Sequence, residues 1–112
     1  MGVPRVFIPH IAERWDQDAE RKVPKHDFAA AALFGQLTPV LDKEDNPMFL
    51  ALITPKIREA LKDFNDNDSL LAAGDPSVIA ICAALILRRR KTMKMLKWDK
   101  KMHTYVQLEV NP

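Results

Sequence analysis

The most regular spacing of apolar residues lies in the last third of the chain. Apolar residues recur there at positions i, i+3, i+4 and i+7, from Val78 to Ile86, which is typical of a helix with one buried face. The dipeptide Asp75-Pro76 precedes them, and it places a capping carboxylate and a proline where a helix begins. The pattern therefore predicts a central helix over about 76–90.

The spacing changes from 3.6 to 2 after Lys91, which indicates extended chain. Residues 93–98 alternate between two faces, residues 104–110 do the same, and residues 99–102 have the composition of a turn. The pattern predicts a C-terminal β-hairpin that follows the central helix directly.

The first two thirds of the chain give shorter signals. Thr54-Pro55 has the same cap and first-turn chemistry and predicts a helix over about 55–64. The remaining elements follow in order: a strand at 5–8, a loop or arm at 9–27, a two-turn helix at 28–34 ended by Gly35, a strand at 36–41 and a loop at 42–47. The apolar run at 48–53 has the length of a strand, but periodicity also allows a helix there.

These elements predict one α+β domain over residues 1–112. A small antiparallel sheet, which includes the hairpin, would pack on the helices at about 76–90 and about 55–64. The chain has 112 residues, which is the usual size of a single domain. The longest strongly apolar run, 78–87, is too short to cross a bilayer, so no membrane partner is expected. With Cys82 as the only cysteine and no export signal, we expect a cytoplasmic protein.

Charge is distributed unevenly along the sequence. The net charge is only +2, but residues 88–101 hold eight basic residues and one acid, a local charge of +7. Residues 59–75 hold five acids and one base, a local charge of −4. Helix-end electrostatics and protection of a sheet edge account for part of the basic segment, but not for eight cations in fourteen positions.

A basic hairpin can follow a phosphate backbone, and aromatic side chains near its turn can stack on bases. The sequence thus predicts a site for single-stranded DNA. Tyr105 alternates with polar residues and is the expected exposed stacking residue; Trp98 shares a face with Leu96 and is either core or stacking, and Trp15 is a further candidate. The predicted DNA-binding residues are Arg88, Arg89, Arg90, Lys91, Lys94, Lys97, Trp98, Lys100, Lys101 and Tyr105.

Two other interpretations of the charged surfaces stay open at this point. A basic face can also contact an acidic protein, or can simply be solvated. The wide apolar stripe of the central helix and the apolar run at 48–53 favour a homo-oligomer, in which the acidic and basic segments of different copies would meet.

Catalytic chemistry has little support in the sequence. There is no glycine-rich phosphate loop, no Cys-x-x-Cys and no His-Glu-x-x-His, and the histidines His10, His26 and His103 are scattered. Cys82 lies on the apolar stripe of the central helix, where a buried and inert thiol is expected. We therefore expect a non-enzymatic protein without a metal or cofactor.

Three blocks of sequence together resemble a known group of proteins. They are Arg5-Val6-Phe7-Ile8-Pro9-His10, the block from Val23-Pro24 to Phe34-Gly35-Gln36-Leu37, and the block from Gly74-Asp75-Pro76 through Leu96-Lys97-Trp98-Asp99-Lys100 to Tyr105-Val106-Gln107-Leu108-Glu109-Val110. They resemble small early proteins of tailed bacteriophages, including the Drc-type single-stranded-DNA-binding cofactors of RNA polymerase.

The resemblance implies a phage protein that acts in replication or early transcription in the host cytoplasm. It implies binding of single-stranded DNA, oligomerisation, and recruitment of a phage RNA polymerase. The alternative function is that of a small phage protein that binds and redirects a host enzyme through its charged surfaces. No residue-level site pattern accompanies the resemblance, so the site residues above follow from charge and position alone.

Overall fold

A five-stranded mixed sheet forms the centre of the fold. The computed structural model describes residues 2–11, 13–16, 21–24 and 28–112, and of residues 13–16 and 21–24 it describes the backbone alone. The strands are β1 (Arg5–Ile8), β2 (Glu13–Asp16), β3 (Arg21–Pro24), β4 (Gln36–Pro39), β5 (Ser69–Leu71), β6 (Met93–Asp99) and β7 (Thr104–Val110). The central sheet has the order β4-β1-β5-β6-β7, and β2 and β3 form a separate antiparallel pair.

Helices cover both faces of the central sheet. They are a 3-10 helix (Ala29–Phe34), α1 (Leu50–Ala60) and α2 (Pro76–Arg89). Phe7, Leu70 and Met93 pack against α1 and α2 on one face. The opposite face packs around the 3-10 helix, and its buried sheet residues are Val6, Ile8, Leu71, Leu96 and Tyr105. Because both faces are covered, consecutive residues of β1 and β5 are buried, as in parallel sheets generally.

The α+β class, the central helix and the C-terminal hairpin are confirmed. Asp75 caps α2, since its Oδ1 accepts a hydrogen bond from the backbone N–H of Ser77 at 2.8 Å, and Pro76 is the first helical residue. Strands β6 and β7 pair in the register that sets Trp98 opposite Tyr105. The strands predicted at 5–8 and 36–41 correspond to β1 and β4, and the helix predicted at 28–34 is the 3-10 helix.

The expected helix over about 55–64 is displaced toward the N-terminus. α1 begins at Leu50, so the apolar run at 48–53, for which the sequence left strand and helix open, is helical from residue 50 onward, and Pro55 lies inside the helix. Proline removes one helical hydrogen bond, but the helix here gains the burial of Ile53 and Ile57 on one face. Thr54 does not cap the helix; its hydroxyl donates to the carbonyl of Leu50 at 2.7 Å.

The sheet is also more parallel than expected. Antiparallel pairing in it is confined to β6 and β7, because β4, β1, β5 and β6 pair in parallel. The short strand β5 joins β1 to the hairpin, and the sequence pattern does not indicate it. The segment predicted as a loop or arm at 9–27 contains β2 and β3. The other predictions for this segment, including the role of Trp15, lie outside the described residues and side chains.

Gly74 connects β5 to α2 and packs against the end of β1. Its φ of +109° is strained for other residues, and a Cβ atom at this position would lie 2.7 Å from the carbonyl oxygen of His10. We therefore expect Gly74→Ala to lower the free energy of unfolding by about 1–3 kcal/mol, a typical cost of such backbone strain. Urea denaturation measures this change. Gly2→Ala is the control, because a Cβ atom there meets nothing within 4 Å and should leave the midpoint unchanged.

Candidate nucleic-acid interface

Two of the three consecutive arginines at the end of α2 are held by contacts within the chain. A guanidinium N–H of Arg89 donates to the carbonyl of Lys62 at 2.7 Å. Arg90 forms an ion pair with Asp66 at 3.1 Å. The acidic and basic segments therefore meet within one chain at this point, and these contacts need no second copy.

Arg58 and Arg88 lie beside Arg89 at the ends of α1 and α2. Together with Leu61 and Leu85, the three arginines line a groove of about 430 Å³. Each arginine lies in the last turn of its helix, where positive charge offsets the negative end of the helix dipole. Helix-end electrostatics thus accounts for this cluster. The sequence did not indicate Arg58 as a member of this cluster, because a helix over about 55–64 would not have Arg58 in its last turn.

Lys91 and Lys94 lie near the start of β6, in a different environment. Lys91 is exposed, whereas Lys94 is half-buried and stands opposite Glu109 of β7. Lys94 also lines a groove of about 340 Å³ with Asp66, Asp68 and Glu109. Nearby carboxylates would repel a phosphate group there, so Lys94 is poorly placed for nucleic acid.

The remaining lysines converge at the tip of the hairpin. Lys97, Lys100 and Lys101 line a groove of about 430 Å³, which we call the hairpin-tip groove. Its other lining residues are Trp98, Asp99, Val106 and Leu108. All three lysines are exposed.

Asp99 fixes the turn at the tip. Its Oδ1 accepts hydrogen bonds from the backbone N–H groups of Lys101, at 2.9 Å, and Met102, at 3.3 Å. This is the Asx-turn arrangement that aspartate favours in loops. His103, with a φ of +51°, completes the turn in the left-handed region. The carboxylate thus orders the loop that carries Lys100 and Lys101.

Trp98 provides an aromatic surface at the hairpin tip, on the face of β6 opposite to Lys97. Its side chain is 40% exposed, and its ring meets the ring of Tyr105 edge-on, with centroids 5.0 Å apart and an interplanar angle of 70°. His103 approaches Trp98 from another direction, at 6.3 Å and 72°. The tryptophan ring is therefore held by its neighbours while two fifths of it stays open to solvent.

Tyr105 is the support of this arrangement and not its exposed surface. It is only 7% exposed and packs in the same core cluster as Leu96. The expectation that Tyr105 is the exposed stacking residue is thus wrong. The physical reason is that the face of the hairpin that carries Tyr105 is covered by the 3-10 helix, whereas alternation with polar residues had indicated an open face.

The eight cations do not form one patch. Strand β6 separates the arginines from the hairpin tip, and its seven residues span about 20 Å at the usual rise per residue. The structure brings Lys97, Trp98, Lys100 and Lys101 together. It leaves Arg88, Arg89, Arg90, Lys91 and Lys94 outside the hairpin-tip groove.

Two kinds of chemical group can be judged in the described residues, metal ligands and the Cys82 thiol. Within 2–11 and 28–112, no three histidine, cysteine or acidic side chains are close enough to hold a metal ion. Burial raises the pKa of the Cys82 thiol to about 12, so the thiolate needed of a nucleophile is not formed near neutral pH. His26 lies outside the described residues.

The whole described fold, including the hairpin tip, falls within one known protein family. The family model described as phage Pam3 gp32-like protein matches residues 4–112. The chain belongs to this family. The expectation of a phage protein is thereby confirmed, whereas the match does not extend to the Drc-type cofactors. No curated protein and no solved structure matches the chain at a significant level.

Neither α1 nor α2, nor any other helix in the described part of the chain, combines the length and apolarity that crossing a membrane requires.

Proposed function

We propose that this phage protein is non-enzymatic and binds single-stranded DNA in the hairpin-tip groove. The observation that carries the proposal is the position of Trp98, which is partly exposed and held edge-on by Tyr105 at the hairpin tip, next to the turn that carries Lys100 and Lys101. Cations that follow the backbone and an aromatic ring that stacks on a base are the two components of single-strand recognition. Bases in a duplex are already stacked, so the groove favours a single strand.

The resemblance seen in the sequence supports a role in replication or early transcription. In that role the protein would hold exposed single strands and act as a cofactor of a phage RNA polymerase. Such work takes place in the host cytoplasm.

A second candidate function is the binding and redirection of a host enzyme. It is supported by an apolar surface at the start of α1, where Met48, Phe49, Leu50 and Leu52 are 82%, 57%, 46% and 68% exposed. Patches of this kind are typical of protein-binding surfaces. The nucleic-acid function is preferred because cations and a supported aromatic ring occur together at the hairpin tip.

The double variant Lys100→Ala/Lys101→Ala tests the proposal. Log affinity falls with log salt, and each lysine that neutralises a phosphate adds about 0.7 to the steepness of that fall for single strands. The magnitude of the slope should therefore decrease by about 1.4 in the double variant. Fluorescence anisotropy of a labelled oligonucleotide, titrated at several salt concentrations, measures it.

The control is Lys43→Ala/Lys62→Ala, which removes the same charge from exposed positions outside the groove. It should leave the slope almost unchanged. Equal losses in both variants would show that only net charge matters, and an absence of binding by the unaltered protein at low salt would overturn the proposal. Binding of a duplex as tight as that of the single strand would contradict the stacking role.

A further inference from the structure

In the described part of the chain, strand β7 leaves one edge of the central sheet open. It is the last strand in the order β4-β1-β5-β6-β7, and among the described residues no strand lies beyond it. It is seven residues long and has no proline. The opposite edge, β4, is four residues long and ends in Pro39, which cannot donate a hydrogen bond to a further strand.

Long and apolar edges are unusual, because they present unpaired backbone groups to other chains. Proteins usually protect an edge with a proline, a bulge or an inward-pointing charge. The middle of β7, Val106-Gln107-Leu108, contains no charged residue, and Leu108 is 44% exposed. The edge at β4 therefore has a protective device that the edge at β7 lacks.

We propose that two copies of this chain pair along β7, antiparallel and centred on Gln107, to form one continuous sheet. This register sets all seven residues of one strand opposite all seven of the other. It sets Val106 of each copy opposite Leu108 of the other, so that four apolar side chains form two cross-strand pairs on one face, one on each side of the two-fold axis. Opposed apolar side chains on neighbouring strands stabilise a sheet.

Charge favours a second copy in this orientation. The basic tip, with Lys100 and Lys101, precedes β7, whereas Glu109 lies near its other end. Antiparallel pairing sends the basic tips to opposite ends and brings the glutamate of each copy toward the tip of the other. Parallel pairing would place the two basic tips side by side. The strand is thus complementary to itself both in its apolar residues and in its charge.

The dimer would also extend the proposed nucleic-acid groove. Val106 and Leu108 line the hairpin-tip groove, and the second copy would supply matching apolar residues beside them. The pairing itself needs no nucleic acid, so it can be tested separately from the proposed function.

Sedimentation velocity without nucleic acid tests the dimer. We expect the unaltered protein to reach twice the 12.8 kDa of one chain as its concentration rises. Leu108→Lys places a charge in both apolar pairs and should return the mass to that of one chain. Leu33→Lys is the control, because Leu33 is 85% exposed but lies near the β4 edge, and this variant should stay dimeric.

Cross-linking gives a second measurement that does not depend on a disruptive variant. In the proposed register residue 107 faces its own copy, with Cα atoms about 4.5–5.5 Å apart, which is within the range of a disulfide bond. Gln107→Cys should therefore form a covalent dimer on oxidation, whereas Leu33→Cys should not. The native Cys82 is fully buried and should not contribute.

A single-chain mass for the unaltered protein throughout the dilution series would overturn the proposal. So would a dimer that persists in Leu108→Lys, or efficient cross-linking through position 33 and none through position 107. If the unaltered protein formed the dimer but did not bind the oligonucleotide, that result would instead count against the proposed function alone.

Discussion

Asp68→Ala is expected to lower the free energy of unfolding by about 3 kcal/mol, because it removes the acceptor at the centre of a buried polar network. Asp68 is 1% exposed. Its carboxylate accepts from the backbone N–H of Arg5 at 3.0 Å, from the guanidinium of Arg5 at 2.8 Å and from the backbone N–H of Asn65 at 3.0 Å. These bonds join the start of β1 to the loop that precedes β5.

The size of the effect follows from what the substitution leaves behind. Two backbone N–H groups would lose their acceptor, and the charge of Arg5 would lose its buried partner. Removal of one partner from a buried ion pair typically costs about 3–5 kcal/mol. The lower end applies here, since the side chain of Arg5 is 24% exposed and can be partly hydrated.

Asp63→Ala is the matched control. Asp63 pairs with the same guanidinium at 3.3 Å, but its side chain is 66% exposed. Exposed pairs contribute about 0–1 kcal/mol, so this variant should unfold close to the unaltered protein. Urea denaturation monitored by circular dichroism measures both. Similar midpoints for the two variants would contradict the view that the buried carboxylate, rather than the charge pair itself, holds β1 in place.

The elements that were predictable from sequence are those with local determinants. α2 has its cap, its first proline and its apolar stripe within one short segment, and the hairpin has its alternation and its turn in another. α1 was misplaced although its cap signature, Thr54-Pro55, is equally local. The burial of Ile53 and Ile57 against the sheet decides where that helix lies, and such burial depends on parts of the chain far away in sequence.

Long-range pairing explains the other differences. Strand β5 has three residues and gains its place only by pairing with β1 on one side and β6 on the other. Short apolar segments of this kind look alike whether they are strands, turns of helix or loops. The parallel arrangement was therefore not predictable from any single segment.

The candidate site was predictable as a segment but not as a surface. The number of charges in the sequence identifies the basic segment 88–101. In the structure Arg89 and Arg90 contact residues 62–66, so the arginines are separated from the lysines of the hairpin tip. The alternation of apolar and polar residues likewise predicts which residues of the hairpin share a face, but it does not show which of the two faces is covered. The 3-10 helix covers Tyr105. Trp98, which lies on the paired strand one position before the turn, stays partly exposed.

Trp98→Leu is expected to weaken binding of single-stranded DNA by a factor of about five to more than one hundred. Stacking of one base on an aromatic side chain is worth about 1–3 kcal/mol, and each 1.4 kcal/mol changes the dissociation constant about tenfold. Leucine keeps an apolar side chain against Tyr105 but offers no flat ring to a base. Anisotropy titrations with the same labelled oligonucleotide measure the loss.

The salt dependence separates stacking from charge. Trp98→Leu removes no cation, so the slope of log affinity against log salt should stay the same while the affinity falls at every salt concentration. Lys100→Ala/Lys101→Ala should instead make the dependence on salt less steep. Phe49→Leu is the control, because Phe49 is 57% exposed and lies outside the hairpin-tip groove. If it weakened binding as much as Trp98→Leu, the apolar surface at the start of α1 would be the contact, and the hairpin tip would lose its assignment.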